Sequence, residues 1–309
     1  MAQSSPQMEG GHQYLSGSPK AIFFTDFDGT ITLQDCKIYI PALFTTSCFM
    51  KPLLRSWLGN DYLVDNFGFG AEKRRMLELE VLNGTLAFRN SQTYNSVPKN
   101  DPARDAFQAM LDSVRMPFNE CLRIVQENIQ LDPGFIDFYL WAKEKRIPIV
   151  ILSSGMTPVI EALLVNLFGS KPSNIFVIAN NVAPHNGKHV DMVGGWQIKY
   201  RDDRQHYSIF GHDKSLEIKH CVALSDEERP MVAFAGDGVS DLSAASETNL
   251  LFAKEGLGKC SLCLHIQSKE NTAYLVKYCE QKAIPFVPFD NWGSILDAMQ
   301  GIYEGMVKN

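Results

Sequence analysis

The sequence predicts an α/β fold, a doubly wound parallel sheet with a second, helical domain inserted into it. Three observations carry that prediction. Five short runs are apolar on both faces, at 21–24, 147–152, 175–178, 231–235 and 250–253, as strands of a sheet covered on both sides must be. Helical patterns alternate with the later runs, which is the order of a doubly wound sheet. Between the first run and the second, 36–130 carries helical spacing alone, which reads as a smaller domain placed after strand one.

Taken in order, the first strand is Ala21-Ile22-Phe23-Phe24, ended by an acidic loop. Helical spacing follows at 72–82, at 107–114 (Phe107, Met110, Leu111, Val114) and at 117–129 (Phe118, Cys121, Leu122, Val125, Ile129). After the second strand, Thr157 is placed to cap a helix with Pro158 at its first position. Ile160, Leu163, Leu164 and Leu167 form its apolar stripe, and Gly169 stops it. The segment 196–200 can pair with 175–182 as a hairpin beside the core. The run from Trp292 to Met306 reads as a closing amphipathic helix.

Composition narrows the function classes. At 309 residues, 45% hydrophobic and 21% charged, the chain can bury a large core and is not disordered throughout. A net charge of -6 gives no basic footprint, so no nucleic-acid partner is expected. No apolar run reaches the ~18 residues of a membrane span. The nearest, 38–57, is broken by Pro41, Lys51, Pro52 and Arg55. Residues 1–19 form a Gly/Ser/Gln-rich tail, expected to be disordered and without the apolar segment of a signal peptide. Seven scattered cysteines read as reduced thiols, and the expected location is cytoplasmic.

Chemistry gathers at strand ends. Asp26-Phe27-Asp28-Gly29-Thr30 directly follows the first strand, where ligands of open α/β sheets bind. Two acids two residues apart repel by about 4 kcal/mol at ~4 Å and an effective dielectric of ~20, a penalty that a divalent cation removes. The same residues would also suit a solvated loop with an Asx turn. The strand at 231–235 runs into Gly236-Asp237-Gly238-Val239-Ser240-Asp241, a second acidic loop or a turn in which Ser240 and Asp241 cap the next helix. The strand at 147–152 ends in Ser153-Ser154-Gly155, a corner of hydroxyls and helix-start amides suited to a phosphoryl oxygen. Lys214, in Gly211-His212-Asp213-Lys214-Ser215, offers a positive charge or an ordinary surface lysine.

In this order, Asp26-x-Asp28-x-Thr30, Ser153, Lys214 and Gly236-Asp237-Gly238-x-x-Asp241 resemble the four motifs of the haloacid dehalogenase (HAD) superfamily. The helical insert resembles the C1 cap of the phosphoserine-phosphatase-like branch, and 131–135 its return to the core. The segments 210–215, 236–245 and 250–254 resemble a fungal group of cytosolic phosphatases that includes polyol-phosphate and methionine-salvage-type enzymes. The resemblance implies a Rossmann-like core at 20–35 and 131–309 with a cap at 36–130. It implies Asp26 as nucleophile, Asp28 as general acid and base, and Ser153 and Lys214 holding the phosphoryl group with Ser154 and Gly155. Mg²⁺ would be held by Asp26, the carbonyl of Asp28 and Asp237, with Asp241 acting through water. Thr30 would brace the loop.

The cap sets the substrate. Where phosphoserine phosphatases carry an arginine for the substrate carboxylate, this chain has Met110. Asn60 and Asp61 stand where related caps face the leaving group and suit hydroxyls, although they would also serve as a helix N-cap. The expected activity is an Mg²⁺-dependent phosphomonoesterase acting on a small sugar or polyol phosphate ester through an aspartyl phosphate, in a monomer or homodimer. A methionine-salvage diketo phosphatase, a phosphoserine-type enzyme and an inactive HAD scaffold or misfolded product are the alternatives. Arg89 and His212 read as surface and structural residues, and Cys260-x-x-Cys263 with His265 lacks the second pair that a zinc site needs. Three segments interrupt the resemblance, roughly 36–58, 90–104 and 259–272. They hold four of the seven cysteines, and their edges can be encoded with GTAA donors and AG acceptors. They read as retained introns, with ordinary surface insertions as the other reading.

Overall fold

Strand β1 (Ala21–Thr25) is buried along its whole length and sits in the middle of a seven-stranded sheet. The computed structural model describes residues 13–33, 60–82, 102–201, 213–255 and 274–308. The other strands are β2 (Ile149–Met156), β3 (Ile175–Pro184), β4 (Trp196–Lys199), β5 (Met231–Gly236), β6 (Leu250–Lys254) and β7 (Val287–Phe289). They lie in the order β4-β3-β2-β1-β5-β6-β7, all parallel except β4, which runs antiparallel to β3. Chain order runs outward from β1 on both sides, so the carboxyl ends of β1, β2 and β5 border the switch point where such sheets bind ligands.

Alternation along β1 feeds two cores. Ala21 and Phe23 face one, where Phe23 lies 4.6 Å from Phe138 and 5.7 Å from Trp292 between ring centroids. That side is covered by α5 (Gly134–Glu144), α6 (Thr157–Phe168) and α10 (Trp292–Lys308). Ile22 and Phe24 face the other, under α7 (Lys214–Val222) and α9 (Tyr274–Lys282), with Ile218, Cys221, Leu275 and Cys279. Each fully buried side chain of this size contributes about 1.5–3 kcal/mol. Tyr14, in a short 3-10 turn at Gln13–Leu15, is 1% exposed in the second core, so ordered structure begins inside the expected tail.

The predicted strands run longer than the apolar runs. β2 continues through Ser153 to Met156 with a register shift, and β3 bends out as a hairpin arm with β4. The α6 helix ends on Gly169 at φ 73, the left-handed position glycine favours. Its N-cap is Met156, not Thr157, whose hydroxyl instead donates to the Asn180 carbonyl at 3.0 Å.

The inserted block holds α1 (Asn60–Phe67), α2 (Ala71–Leu82), α3 (Pro102–Asp112) and α4 (Phe118–Asn128). Its two connections to the core meet in a bridge between Thr32 and Leu131, where the Leu33 amide donates to Gln130 and the Asp132 amide to Ile31. Arg74, fully buried on α2, forms a bidentate pair with Asp65 of α1 at 2.6 and 2.9 Å. Met110 lies in the apolar cluster at 4% exposure, so it is a core side chain and not part of a polar substrate wall. The hairpin arm grips the block from the side. Trp196 Nε1 donates to the Met116 carbonyl at 2.9 Å, the Gly194 amide to Arg115, and Arg104 stacks on Tyr200 at 3.7 Å.

Of the interruption expected at 90–104, residues 102–104 are described, and they open α3, with Arg104 packed on the arm. The segments 36–58 and 259–272, with Cys260, Cys263 and His265, lie outside the described residues, as do Arg89 and His212. Among the described residues Cys121, Cys221 and Cys279 are buried free thiols. Burial pushes the first two up to about 12, which makes them inert. No helix among the described residues is long and apolar enough to cross a membrane.

Candidate active site

Four predicted residues converge at the ends of β1 and β5. Asp26 follows β1, and its amide donates to the Ala235 carbonyl of β5 at 2.9 Å. Lys214 is the first residue of α7, placed there by Asp213, whose carboxylate accepts the Ser215 amide as an N-cap. The Lys214 ammonium lies 2.8 Å from Asp26 Oδ2 and 2.7 Å from Asp241 Oδ1. Asp26 Oδ1 accepts the Phe27 amide at 2.7 Å. Asp241 Oδ2 accepts the amides of Asp237 and Gly238 at 3.0 and 2.9 Å. Asp241 thus folds the loop back on itself and makes no side-chain cap to the short helix α8 (Leu242–Ala245), contrary to the capping expectation. Thr30 donates to Asp237 Oδ1 at 3.0 Å, the bracing expected of it.

One ligand atom from each of Asp26, Asp237 and Asp241 lies within 4.8 Å of the others. At that spacing each pair of charges repels by about 3.5 kcal/mol at an effective dielectric of ~20. Burial first, then Asp241, push the Asp26 carboxyl well above the usual carboxylate range, against the pull of Lys214. Burial works against the Lys214 charge, yet Asp241 and Asp26 outweigh it and hold that ammonium above its ordinary range. Three carboxylates facing one ammonium leave two negative charges over, and every donor is oxygen. That donor set fits one hard divalent cation such as Mg²⁺.

Asp28 stands on the β2 side of this cluster. A Cβ placed on Gly155 would come 3.3 Å from Asp28 Oδ2 and 3.1 Å from Ser153 Oγ, so the acid faces the corner that ends β2. A side chain at Gly155 would force Asp28 or Ser153 to give way by a few tenths of an ångström. Ser153 Oγ accepts the Gly155 amide at 2.9 Å, so the corner offers the Ser153 hydroxyl proton and not a free Gly155 amide, as had been expected. Gly29 sits at φ +76, and a Cβ there would come 2.5 Å from Asp237 Oδ2. Asn60 and Asp61 open α1, and their side chains lie outside the described ones.

Sequence reasoning missed the supports. Asn180 is fully buried, gives Nδ2 to the Ser154 carbonyl at 2.8 Å and takes the Arg201 amide at 3.1 Å. Arg201 pairs with Glu217 of α7 at 3.3 Å, and the Tyr14 hydroxyl donates to the same carboxylate at 3.2 Å. The Ser153 corner and the Lys214 helix are thereby tied together. On the far side, Lys254 Nζ and Trp292 Nε1 bond the carbonyls of the Asp28–Thr30 turn. A lysine ending an apolar strand was the one signal available in sequence.

Comparison with known proteins places these features. A model of the haloacid dehalogenase-like hydrolases matches residues 23–246. Pdp3-interacting factor 1 of Schizosaccharomyces pombe is 38% identical over 281 residues, covering 91% of this chain and 95% of that protein. Polyol phosphate phosphatase PYP1 of Saccharomyces cerevisiae is 36% identical over 293 residues, covering 93% and 95%. In fold, the crystal structure of a HAD family hydrolase from Salmonella enterica serovar Typhi superimposes with a TM-score of 0.52 at 13% identity, over 90% of this chain and 70% of that one. The chain belongs to the haloacid dehalogenase-like hydrolase family.

Proposed function

We propose that this hydrolase is an Mg²⁺-dependent phosphomonoesterase that acts on a small sugar or polyol phosphate through an aspartyl phosphate. The observation that carries the reading is the Lys214 ammonium bound to both Asp26 and Asp241, with Asp237 beside them and Asp28 facing Ser153. A carboxylate oxygen of Asp26 attacks phosphorus, and the bond to the alcohol oxygen breaks as Asp28 delivers a proton to it. Asp28 then takes a proton from the water that attacks phosphorus. The bond to Asp26 breaks, inorganic phosphate leaves and the carboxylate is restored. Lys214 holds Asp26 in line, and the Ser153 hydroxyl can donate to a phosphoryl oxygen. Asp26, Asp237 and the Asp28 carbonyl would hold Mg²⁺, which supplies charge neutralisation for the phosphoryl group. Both oxygens of Asp241 already accept hydrogen bonds, which suits an indirect role through water.

The substrate class rests on two supports. A relative named as a polyol phosphate phosphatase shares 36% of its residues with this chain. The cap also has an apolar core residue, Met110, at the position read as the carboxylate-binding arginine of phosphoserine phosphatases. Purified protein assayed with glycerol phosphate, sugar phosphates and phosphoserine, with Mg²⁺ and with a chelator, tests the reading. A polyol or sugar phosphate should give the highest kcat/KM, and chelation should abolish turnover until Mg²⁺ is returned. Phosphoserine ranking first, or full activity in chelator, would contradict it.

A further inference from the structure

The turn that carries Asp28 is held from behind by side chains that the chemistry does not use. Lys254 closes β6 at 8% exposure, and its Nζ donates to the Gly29 carbonyl at 2.7 Å and the Thr30 carbonyl at 3.2 Å. The Trp292 indole donates to the same Thr30 carbonyl at 3.0 Å. A buried ammonium is costly, and an apolar side chain of like length would fill the space without that cost. The charge therefore does something that packing alone does not require.

Direction shows what. In the sheet, β6 lies on one side of β1, beyond β5, and β2 lies on the other. Lys254 draws the two carbonyls after Asp28 toward β6, while the Asp28 carboxyl faces Gly155 at the end of β2. Between them, Gly29 is at φ +76 and faces Asp237 where a side chain would stand, and its amide donates to Thr32 Oγ1 at 2.8 Å. Releasing the carbonyls would leave the Gly29–Thr30 peptide held at its amide, on the Phe27 carbonyl at 3.3 Å, and let the carboxyl drift from the Ser153 corner.

We infer that Lys254 is a positioning residue for Asp28, holding the acid at the leaving-group oxygen. This rests on the reading of Asp28 as general acid. The test compares a poor leaving group, glycerol 2-phosphate, with p-nitrophenyl phosphate, whose phenolate leaves without a proton. Lys254→Met should lower kcat/KM on glycerol 2-phosphate, which reports the steps up to alcohol release and not the later attack of water, by about 10²-fold, the low end of what general acid catalysis supplies. It should change kcat/KM for p-nitrophenyl phosphate by less than about 3-fold. Lys254→Arg, which keeps a charged donor, should restore most of the loss. Equal losses of kcat/KM on both substrates would overturn the inference.

Asp28→Asn run in parallel separates the two claims. If it shows the leaving-group split and Lys254→Met does not, the positioning role alone falls. If Asp28→Asn loses kcat/KM on both substrates equally, the acid reading falls and the inference with it. Should Lys254→Met fail to fold, Trp292→Phe keeps an aromatic ring in the cluster and removes only the indole donor. It must then show the same split at smaller size, and its absence would overturn the inference.

Discussion

Lys214 and Asp241 carry the electrostatic order of the site, because each satisfies a partner that would otherwise be stranded. Asp241 is fully buried and accepts one ammonium and two amides. Asp241→Ala leaves Lys214 paired with Asp26 and strands the Asp237 and Gly238 amides, so it should cost about 1–3 kcal/mol for each amide that stays dry, measured by urea unfolding. A loss below about 1 kcal/mol would mean that water satisfies these groups. Gly29→Ala faces both a left-handed φ and the Asp237 carboxylate at 2.5 Å. It should lower kcat at least as severely as it lowers Tm, and wild-type kinetics would show that the turn is slack. At this scale the placement was legible in sequence, since Asp26, Asp28, Asp237 and Asp241 lie in the loops that follow β1 and β5, Ser153 near the end of β2 and Lys214 at the start of α7. Asn180, Trp292 and Tyr14 were not legible. They act through backbone atoms or partners tens to hundreds of residues away, and no local pattern encodes such pairings.

The arm formed by β3 and β4 is the hairpin expected of 175–182 and 196–200, and it also ties the inserted helices to the core. His185 faces Asp112 at 3.9 Å, Tyr200 receives Arg104, and Phe118 donates its amide to Val190. Asn180 stands where the arm leaves the sheet and also fixes the end of β2. Asn180→Ala leaves two backbone groups of Ser154 and Arg201 without that partner, at about 1–3 kcal/mol each where they stay dry. The variant should unfold at lower temperature and bind inorganic phosphate more weakly, because the Ser153 corner loosens. Unchanged phosphate inhibition alongside a lowered Tm would confine Asn180 to stability. The central strands were readable because burial on both faces leaves an unbroken apolar run. β7 was not, for it is three residues long and contains Pro288, tolerated at the sheet edge where β6 supplies its pairing.

Across the whole molecule, one sheet carries the candidate site at its strand ends, and one helical block is joined to it at Thr32 and Leu131. The three segments at 36–58, 90–104 and 259–272 are proposed to be absent from the mature chain, so a protein lacking them should fold and hydrolyse phosphate esters at least as well. In that chain Arg89 would directly precede Asp105, so an arginine would still be available to cover Tyr200. A mature transcript carrying all three segments in frame would contradict this. The central claim, that Asp26 becomes phosphorylated in each cycle, is tested most directly by borohydride trapping of the protein during turnover with Mg²⁺ and glycerol phosphate, followed by peptide mass spectrometry. Reduction of an aspartyl phosphate should convert Asp26, and no other acid, to homoserine, with no conversion in the absence of substrate. Steady turnover with Asp26 unmodified, or an active Asp26→Asn variant, would contradict the account.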